Sequence, residues 1–374
     1  MHILHLYKDY HPVLGGIENH VRVLAEAQAA LGHRVTVLVC NPGGLTGSEL
    51  LNGVEIVRAR RLATVWSMPL SVHQPMLLAR LGPDIVHVHS PYPLGETSAL
   101  LLRRSARLVI THHADVFRQR RVMPIYAPIL RRVLAASDAV IATSPLYVES
   151  SPWLHPIADH CRVIPLGVDE QRFQAVCEES RDRARLLFVG KLRHYKGLDV
   201  LLRALTKVPG ATLDVVGDGP MRGPWEDLAA ELGLGDRIHF HGEVDDQDLL
   251  THYRRAGLLV LPSTSRAEAF GTVLLEAMAT GLPCVATELG TGTSWVVRDG
   301  DTGLVVPPAD SQALEQAIQT LIADEGRARS MGNAGRLRVE QNFTRAAMIA
   351  QTMTLYDEIA SGGLSARRAD RSDS

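Results

Sequence analysis

Residues 258–287 read LLVLPSTSRAEAFGTVLLEAMATGLPCVAT and contain one complete strand–loop–helix–strand unit. The apolar run at the start predicts a strand, and the apolar residues after Gly271 recur at helical spacing. Gly281 ends this helix, and Pro283 leads into a second strand at Cys284–Thr287. A strand followed by a helix and another strand is the repeating unit of a parallel sheet. This stretch therefore predicts an α/β fold.

The same alternation extends through most of the chain and predicts parallel sheets covered by helices on both faces. The predicted strands are His2–Leu6, Arg34–Val39, Val54–Arg58, Ile85–His89, Leu108–Thr111, Ala139–Ala142, Arg185–Gly190, Leu213–Val216 and Ile238–Val244. A polar, irregular stretch at 174–183 separates two sets of strands and fits an interdomain linker. At 374 residues, two domains are expected.

Composition excludes several classes of function. The net charge is −2, which gives no electrostatic support for binding nucleic acid. The four cysteines are scattered without a C-x-x-C pair, so buried thiols in a reducing compartment are expected. No apolar run reaches the roughly 18 residues that a membrane-spanning helix requires. We therefore expect a cytoplasmic protein without a secretory leader.

Two acids bracket the helix in the opening stretch. Glu268 lies in the loop before the helix, and Glu276 lies in its second turn. The free amides of a helix N-terminus lie between them and attract anions such as phosphate. Each carboxylate can accept hydrogen bonds from sugar hydroxyls, so the arrangement suits a nucleotide-sugar. The alternative is a surface helix that carries two solvated acids.

Polar residues also follow strands in the first half of the chain. Gly15 and Gly16 lie between the first strand and its helix. Two glycines there allow a ligand to approach the backbone closely, and an ordinary turn without a ligand is the alternative interpretation. The pattern is not G-x-G-x-x-G, which disfavours a nicotinamide dinucleotide site. His112 and His113 point to opposite faces of their strand, so one of them can face a ligand while the other packs in the core.

Metal-binding and membrane-binding patterns are weaker. His87, His89, His113 and Asp115 have a spacing that fits no common zinc pattern, and we predict no metal. Asp246 and Asp248 form a D-x-D motif, but they open an apolar-periodic run and fit the N-terminus of a helix better.

The segment 118–136 mixes arginines with large apolar residues, and Pro124 and Pro128 are expected to break any single helix in it. It fits either contact with anionic lipid or a solvated arginine face.

A basic loop follows the strand at Arg185–Gly190. Lys191, Arg193 and Lys196 can form a cationic pocket for a diphosphate leaving group, although a solvated loop is the alternative.

Taken together, these residues resemble glycosyltransferase family 4 over about residues 1–360. The likeness rests on the Gly15-Gly16 turn, on His113, on 190–197 as a G-R-L-x-x-x-K-G loop, and on 268–276 as E-x-F-G-x-x-x-x-E.

The resemblance implies the GT-B fold, with two Rossmann-like doubly wound parallel-sheet domains that face an interdomain cleft. It places an N-terminal acceptor-side domain at 1–168 and a nucleotide-sugar-binding domain at 169–345. A helix at 346–360 is expected to cross back to the first domain. Residues 361–374 are expected to form a disordered tail.

The resemblance also implies roles for individual residues. His113 and Glu268 are the expected catalytic residues, and Gly15 and Asp115 are expected on the acceptor side. No metal or other cofactor is expected. The expected donor-binding residues are Gly16, Lys191, Lys196, Glu268, Phe270, Gly271, Thr272 and Glu276.

Two positions depart from the family pattern. Lys191 replaces the usual arginine and loses its bidentate fork. The residues 289–295 replace the common G-G-x-x-E sequence. This variant is similar to bacterial surface-polysaccharide enzymes, many of which are thought to transfer mannose from GDP-mannose with retention.

The expected acceptor is a glycan or a lipid-linked saccharide. The interpretation as a surface-polysaccharide enzyme includes peripheral contact of the protein with the inner face of the cell membrane. The alternative functions are a UDP-sugar transferase, a GT-B epimerase or phosphorylase, a non-catalytic sugar-nucleotide binder and, least favoured, a dinucleotide dehydrogenase.

Overall fold

The computed structural model describes residues 1–13, 15–41, 46–65, 68–102, 105–115, 123–174 and 181–362. The chain divides into two compact units. The first contains Met1–Thr143, Ser151–Ile164 and the chain from Met348 on, and the second contains Ser144–Ser150 and Pro165–Ala347. Ser144–Ser150, which the predicted boundary assigns to the first domain, therefore groups with the second unit.

The described strands of the first unit form one sheet and a small hairpin. The strands are β1 His2–Leu6, β2 Arg34–Asn41, β3 Gly47–Leu51, β4 Val54–Arg60, β5 Ala63–Val65, β6 Met68–Leu70, β7 Ile85–Ser90, β8 Arg107–His112, β9 Ala139–Ala142 and β10 Cys161–Val163. The sheet order is β10-β9-β8-β7-β1-β2-β4-β3, and β5 pairs with β6. The order reverses between β7 and β1, which makes this pair the topological switch point.

Helices cover both faces of this sheet. They are α1 Gly16–Ala30, α2 His73–Leu81, α3 Pro93–Leu102, α4 Met123–Ala136 and, at the end of the chain, α14 Arg345–Ala360. Apolar side chains of α14, among them Met348 and Tyr356, pack on Ile3, Ile85 and Val109 of the central strands. The side chains of β7 are all buried, as expected for a strand covered on both faces.

One strand of the first unit was not predicted, and one local prediction was wrong. The strand that was not predicted, β3, pairs antiparallel with β4 at the edge of an otherwise parallel sheet. Asn52 and Gly53 both have positive φ and form the tight turn between these strands. The segment 123–136 is one helix, although Pro128 lies inside it. Pro124 lies in the first turn, where the missing N–H would have no helical partner in any case.

The second unit contains a parallel sheet with the order β13-β12-β11-β14-β15-β16. Its elements are α5 Pro145–Ser150, α6 Glu170–Gln174, β11 Asp182–Val189, α7 Leu198–Leu205, β12 Thr212–Val216, α8 Arg222–Glu231, β13 Ile238–Gly242, α9 Asp246–Arg255, β14 Ala256–Leu261, α10 Thr272–Ala279, β15 Cys284–Thr287, α11 Gly292–Val296, β16 Gly303–Val306, α12 Ser311–Ala323 and α13 Glu325–Asn342. The switch point lies between β11 and β14.

Two apolar clusters form the core of this unit. Leu186 and Phe188 of β11 point to a cluster that includes residues of α7, α8 and α12. Leu187 and Val189 alternate to the opposite face, where residues of α10 and α13 pack. The sheet is therefore covered on both faces, and its ligand-facing groups are restricted to loops at the strand ends.

Several predictions fall wholly or partly outside the described residues. The arginines at 118, 120 and 121, most of the predicted linker, and the tail from residue 363 lie there. Within the described residues, none of the helices is both long enough and apolar enough to span a bilayer. Cys40 and Cys284 are buried free thiols, and Cys161 is a partly buried one.

Candidate functional site

Two loops meet at the switch point of the second unit. One follows β11 and contains a short 3-10 helix at His194–Lys196, and the other follows β14 and runs to α10. The amide of Thr264 donates a hydrogen bond to the carbonyl of Tyr195 at 2.8 Å. Gly197 has a φ of +68° and lies against the carbonyl of Pro262, so a side chain at this position would collide with the backbone. The two loops are thus held together.

A buried ion pair joins these loops. Nζ of Lys196 lies 2.6 Å from Oε2 of Glu268, and each residue is only 8% exposed. The hydroxyl of Ser263 donates to the same carboxylate oxygen at 3.1 Å. Burial lowers the pKa of Lys196, but the charge of Glu268, the charge of Tyr195 and the hydrogen bond to Glu268 together outweigh it, and the net shift is upward. The ammonium therefore stays charged at neutral pH.

The N-terminus of α10 begins beside this pair. Gly271 caps the helix with a φ of +79°, a conformation in which other residues are strained. Its carbonyl accepts a hydrogen bond from the amide of Leu274 at 2.9 Å, which leaves the first-turn amides before Leu274 available to an anion. Thr272, the first helical residue, is partly exposed.

Phe270 contributes to the site through its backbone. Its side chain is 4% exposed and packs with Trp295 and Phe343, with ring centroids 6.5 Å and 6.3 Å away. Gly292 lies against the backbone of Phe270 and donates a hydrogen bond to the carbonyl of Ala269 at 2.8 Å. Core packing therefore fixes the buried side of the loop before α10, and the polar groups of the loop lie on its other side.

Glu276 lies one turn further along α10. The phenol of Tyr253 donates a hydrogen bond to its carboxylate at 2.7 Å. Burial raises the pKa of Glu276, while the Tyr253 hydrogen bond and the charge of Arg172 oppose that rise. A carboxylate held in this way can accept hydrogen bonds from sugar hydroxyls.

Lys191 differs from the other predicted donor-binding residues. It lies two residues beyond β11, and its side chain is exposed. The structure thus brings Lys196, Glu268 and the start of α10 together at the switch point. It leaves Lys191 on the surface at the entrance of the loop.

The first unit carries a cluster of buried histidines at its own switch point. Nε2 of His113 lies 3.0 Å from Nδ1 of His89, and Nε2 of His89 lies 3.0 Å from Nδ1 of His5. Nε2 of His5 lies 2.7 Å from Oε1 of Gln28. His20 places its ring 5.1 Å from that of His113. His113 therefore belongs to a connected group, and its ring keeps little exposure.

Burial shifts the pKa of these imidazoles in one direction. It lowers the pKa of His5 and of His20 to about 4. Burial also lowers the pKa of His87, His89 and His113 well below the usual value, and the neighbouring rings add to the effect. The cluster is therefore neutral at physiological pH.

The other predicted site residues of the first unit are Asp115, Gly15 and Gly16. Asp115 accepts hydrogen bonds from Ser151 at 2.7 Å and from Nε2 of His112 at 3.1 Å, and it is 7% exposed. Gly15 precedes α1, and the carboxylate of Glu18 occupies the space that a side chain at Gly15 would need. Gly16 has open space where a side chain would point.

Three groups among the described residues bring possible metal ligands within 4.8 Å of one another: His5 with His87 and His89, His20 with His89 and His113, and Asp214 with His241 and His252. In the first two groups, ring nitrogens of His5, His89 and His113 already form hydrogen bonds with one another. In the third group, Asp214 accepts hydrogen bonds from Arg185 and His241. The predicted D-x-D residues lie in the first turn of α9, which Asp245 caps.

Sequence reasoning missed several partners of the site residues. Ser263 could have been predicted as a site residue from the sequence, because it follows β14 directly and strand ends carry ligand-facing groups. Tyr253 and Gln28 carry no comparable signal, because each lies within a helix and reaches its partner only through tertiary packing.

Known proteins are similar to this chain over most of its length. Residues 14–172 match the family model described as Glycosyltransferase Family 4, and residues 169–338 match Glycosyl transferases group 1. O-antigen chain mannosyltransferase C of Escherichia coli is 34% identical over 95% of this chain and 98% of its own length. The D-rhamnosyltransferase WbpZ of Pseudomonas aeruginosa is 34% identical over 92% of each chain.

Two further similarities are more distant. The GDP-mannose-dependent alpha-(1-6)-phosphatidylinositol monomannoside mannosyltransferase of Mycolicibacterium smegmatis is 28% identical over 96% of this chain and 98% of its own length. The crystallographic fold of sucrose-phosphate synthase from Thermosynechococcus elongatus superposes with a TM-score of 0.81, at 27% identity, over 96% of this chain and 99% of that one. The fold, with its two Rossmann-like units, and the family matches together show that this chain is a glycosyltransferase that belongs to family 4 and has the GT-B fold.

Proposed function

We propose that this glycosyltransferase moves mannose from GDP-mannose to a hydroxyl of a glycan or lipid-linked saccharide in surface polysaccharide synthesis, with retention of anomeric configuration. The observation that carries the proposal is the buried Lys196–Glu268 pair beside the open N-terminus of α10. The names of the mannosyltransferase relatives support the choice of sugar and of base.

In the proposed complex, the diphosphate lies at the N-terminus of α10, and Lys196 compensates its charge. The amides at Gly271 and Thr272 add fixed donors, which act without reorganisation when charge develops. Glu276 accepts hydrogen bonds from the ribose hydroxyls, and Glu268 orients the donor sugar. Lys191 adds a second positive charge at the entrance. These groups stabilise the leaving diphosphate without a metal.

The proposed reaction needs no protein nucleophile. The bond between C1 of the sugar and the diphosphate oxygen breaks, and its electron pair stays on the diphosphate. The acceptor oxygen forms a new bond to C1 on the same face and transfers its proton to a phosphate oxygen. The protein contributes positioning and stabilisation of the leaving group. His113 is proposed to face the transferred sugar or the acceptor.

D-Rhamnose is the second candidate for the transferred sugar. The D-rhamnosyltransferase relative is as similar to this chain as the mannosyltransferase relative is. D-Rhamnose is 6-deoxy-D-mannose, so the two donors differ by one hydroxyl. A site that binds this hydroxyl through a buried polar group would strongly reject the donor that lacks it.

A donor panel tests the proposal. The chain is incubated with GDP-mannose, GDP-D-rhamnose, UDP-glucose or UDP-N-acetylglucosamine, with mannosyl acceptors and with EDTA. New α-mannoside from GDP-mannose is the expected result. Turnover of only UDP-sugars would overturn the choice of donor, and donor consumption without a glycoside would indicate an epimerase. Loss of turnover in EDTA would overturn the metal-free mechanism.

Site variants test the residue assignment. Glu268→Gln should abolish turnover, because the neutral amide loses the ion pair that positions Lys196 and accepts fewer hydrogen bonds from the donor sugar. The matched control is Glu231→Gln, which changes an exposed acid at the end of α8 and should leave turnover unchanged. Circular dichroism checks that both variants fold. Full turnover by folded Glu268→Gln would overturn the assignment.

A further inference from the structure

The buried histidines of the first unit form a directional chain of hydrogen bonds. His5 lies on β1, and His89 lies two residues beyond the β7 residue that pairs with His5 in the sheet. Both point to the face of the sheet that α1 covers, and Gln28 of α1 ends the chain. His113, directly after β8, is at the other end. Each link is a direct ring-to-ring or ring-to-amide contact.

The chemistry of the end group sets the direction of the chain. The carbonyl oxygen of Gln28 accepts hydrogen bonds and cannot donate them, so Nε2 of His5 carries a proton. A neutral imidazole has one N–H and one lone pair, so Nδ1 of His5 accepts from Nε2–H of His89. By the same rule, Nδ1 of His89 accepts from Nε2–H of His113.

The rings of the chain are neutral. A proton on Nδ1 of His5 or of His89 would face the Nε2–H of the next ring, and the contacts of 3.0 Å leave no room for two protons. Burial lowers the pKa of His5 to about 4, and burial also lowers the pKa of His89 and of His113. The rings therefore stay neutral, and the tautomer of each one depends on its neighbour.

We propose that Gln28, His5 and His89 are positioning residues for His113: they fix its proton on Nε2, so that His113 presents the lone pair of Nδ1 as a hydrogen-bond acceptor for a sugar hydroxyl. The sugar hydroxyl as partner rests on the proposed function, whereas the tautomer does not. Within the described residues, no hydrogen bond to Nδ1 of His113 is found, which leaves this atom to the substrate.

The position of the chain in the fold supports the assignment. β1 and β7 form the switch point of the first sheet, where ligands bind in open α/β sheets. A ring next to such a site that can rotate or change tautomer would present a donor in some molecules and an acceptor in others. A chain that ends on the carbonyl oxygen of Gln28, and not on its amide nitrogen, removes that ambiguity before the substrate arrives.

Nitrogen NMR of the full chain labelled with ¹⁵N-histidine tests the tautomer directly. Resonances are assigned by single histidine substitutions. Protonated Nε2 and unprotonated Nδ1 on His5, His89 and His113 are expected at pH 7.5. Protonated Nδ1 on His89 and His113, which is the reverse direction, would overturn the proposal, and so would a mixture of tautomers. The result does not depend on whether any donor is turned over.

Variants test the positioning role. Gln28→Leu removes the terminal acceptor and leaves the rings in place, and His89→Leu interrupts the chain. In both, His113 should become a mixture of tautomers. kcat should fall on the order of tenfold, the effect of about one lost hydrogen bond, with donor KM changed less than twofold.

Thr111→Val is the matched control. Thr111 is buried, and its hydroxyl contacts Nε2 of His87 at 2.6 Å, outside the chain. This variant should keep one tautomer at His113 and full kcat. An unchanged His113 spectrum in Gln28→Leu would contradict the proposal even if His89→Leu fails to fold.

Discussion

The buried histidines predict that mild acid destabilises the first unit. His5 is fully buried, and burial lowers its pKa from 6.5 to about 4. In the folded chain it stays neutral between these values, whereas in the unfolded chain it binds a proton. Stability is therefore complete above pH 6.5 and decreases as the pH falls toward 4.

The magnitude follows from linkage. Between pH 7.5 and 5.5, an unfolded histidine changes from about one tenth to about nine tenths protonated, while folded His5 stays almost neutral. This difference lowers the free energy of unfolding by about 1.3 kcal/mol. Burial also lowers the pKa of His87, His89 and His113 well below the usual value, so each of them adds to the loss in the same direction. A loss larger than that of His5 alone is a sizeable part of the stability of a typical domain, which is about 5–15 kcal/mol.

Two buried cysteines allow the units to be measured separately. Cys40 lies in the first unit and Cys284 in the second, and both are fully buried. The chain is equilibrated in urea at pH 7.5, 6.5 and 5.5 and pulsed with a thiosulfonate reagent, and labelling at each cysteine is read by mass spectrometry. The labelling midpoint of Cys40 should fall steeply with pH, and that of Cys284 should change less. A Cys40 midpoint that is constant from pH 7.5 to 5.5 would show that these histidines do not gain protons when the first unit unfolds.

Three further predictions concern the second unit. Lys196→Met should cost about 3–5 kcal/mol in urea unfolding, because it leaves Glu268 charged and buried; a loss below 1 kcal/mol would contradict this. Gly271→Ala should cost about 1–2 kcal/mol, because φ is +79°, and an unchanged melting curve would argue against that conformation. Tyr253→Phe should raise the pKa of Glu276, so that calorimetry shows GDP-mannose binding weakening on acidification at a higher pH than in the unaltered chain; an unchanged pH dependence would speak against it.

The fold was predictable from the sequence because its strands are short, apolar and regularly separated by helices. The strand at Cys284–Thr287 has the bounds that Gly281 and Pro283 predicted. The β3–β4 hairpin was missed despite its Asn52-Gly53 turn signal. The reason is that β3 is mostly exposed at the edge of the sheet and carries no apolar pattern.

The donor-side contacts were only partly predictable. The sequence placed Lys196 and Glu268 after strands, but their contact spans 72 residues and depends on β11 and β14 lying side by side. Local periodicity does not determine the order of strands in a sheet. The family resemblance supplied this information, which composition and spacing alone do not contain.

The surroundings of His113 were also only partly predictable from the sequence. Alternation along β8 predicted different surroundings for His112 and His113, and His113 joins His89 while His112 contacts Ser90 and Asp115. The chain from Gln28 to His113 joins α1, β1, β7 and the loop after β8. Four segments that are distant in sequence meet there, so only the packed structure reveals the connection.

Hydrogen exchange of the intact chain with and without GDP-mannose tests whether the donor binds at the switch point of the second sheet, between the loop of Lys196 and the N-terminus of α10. Added donor should protect the amides at 190–197 and 268–274. Unchanged exchange in both segments at a saturating donor concentration would contradict binding at this site.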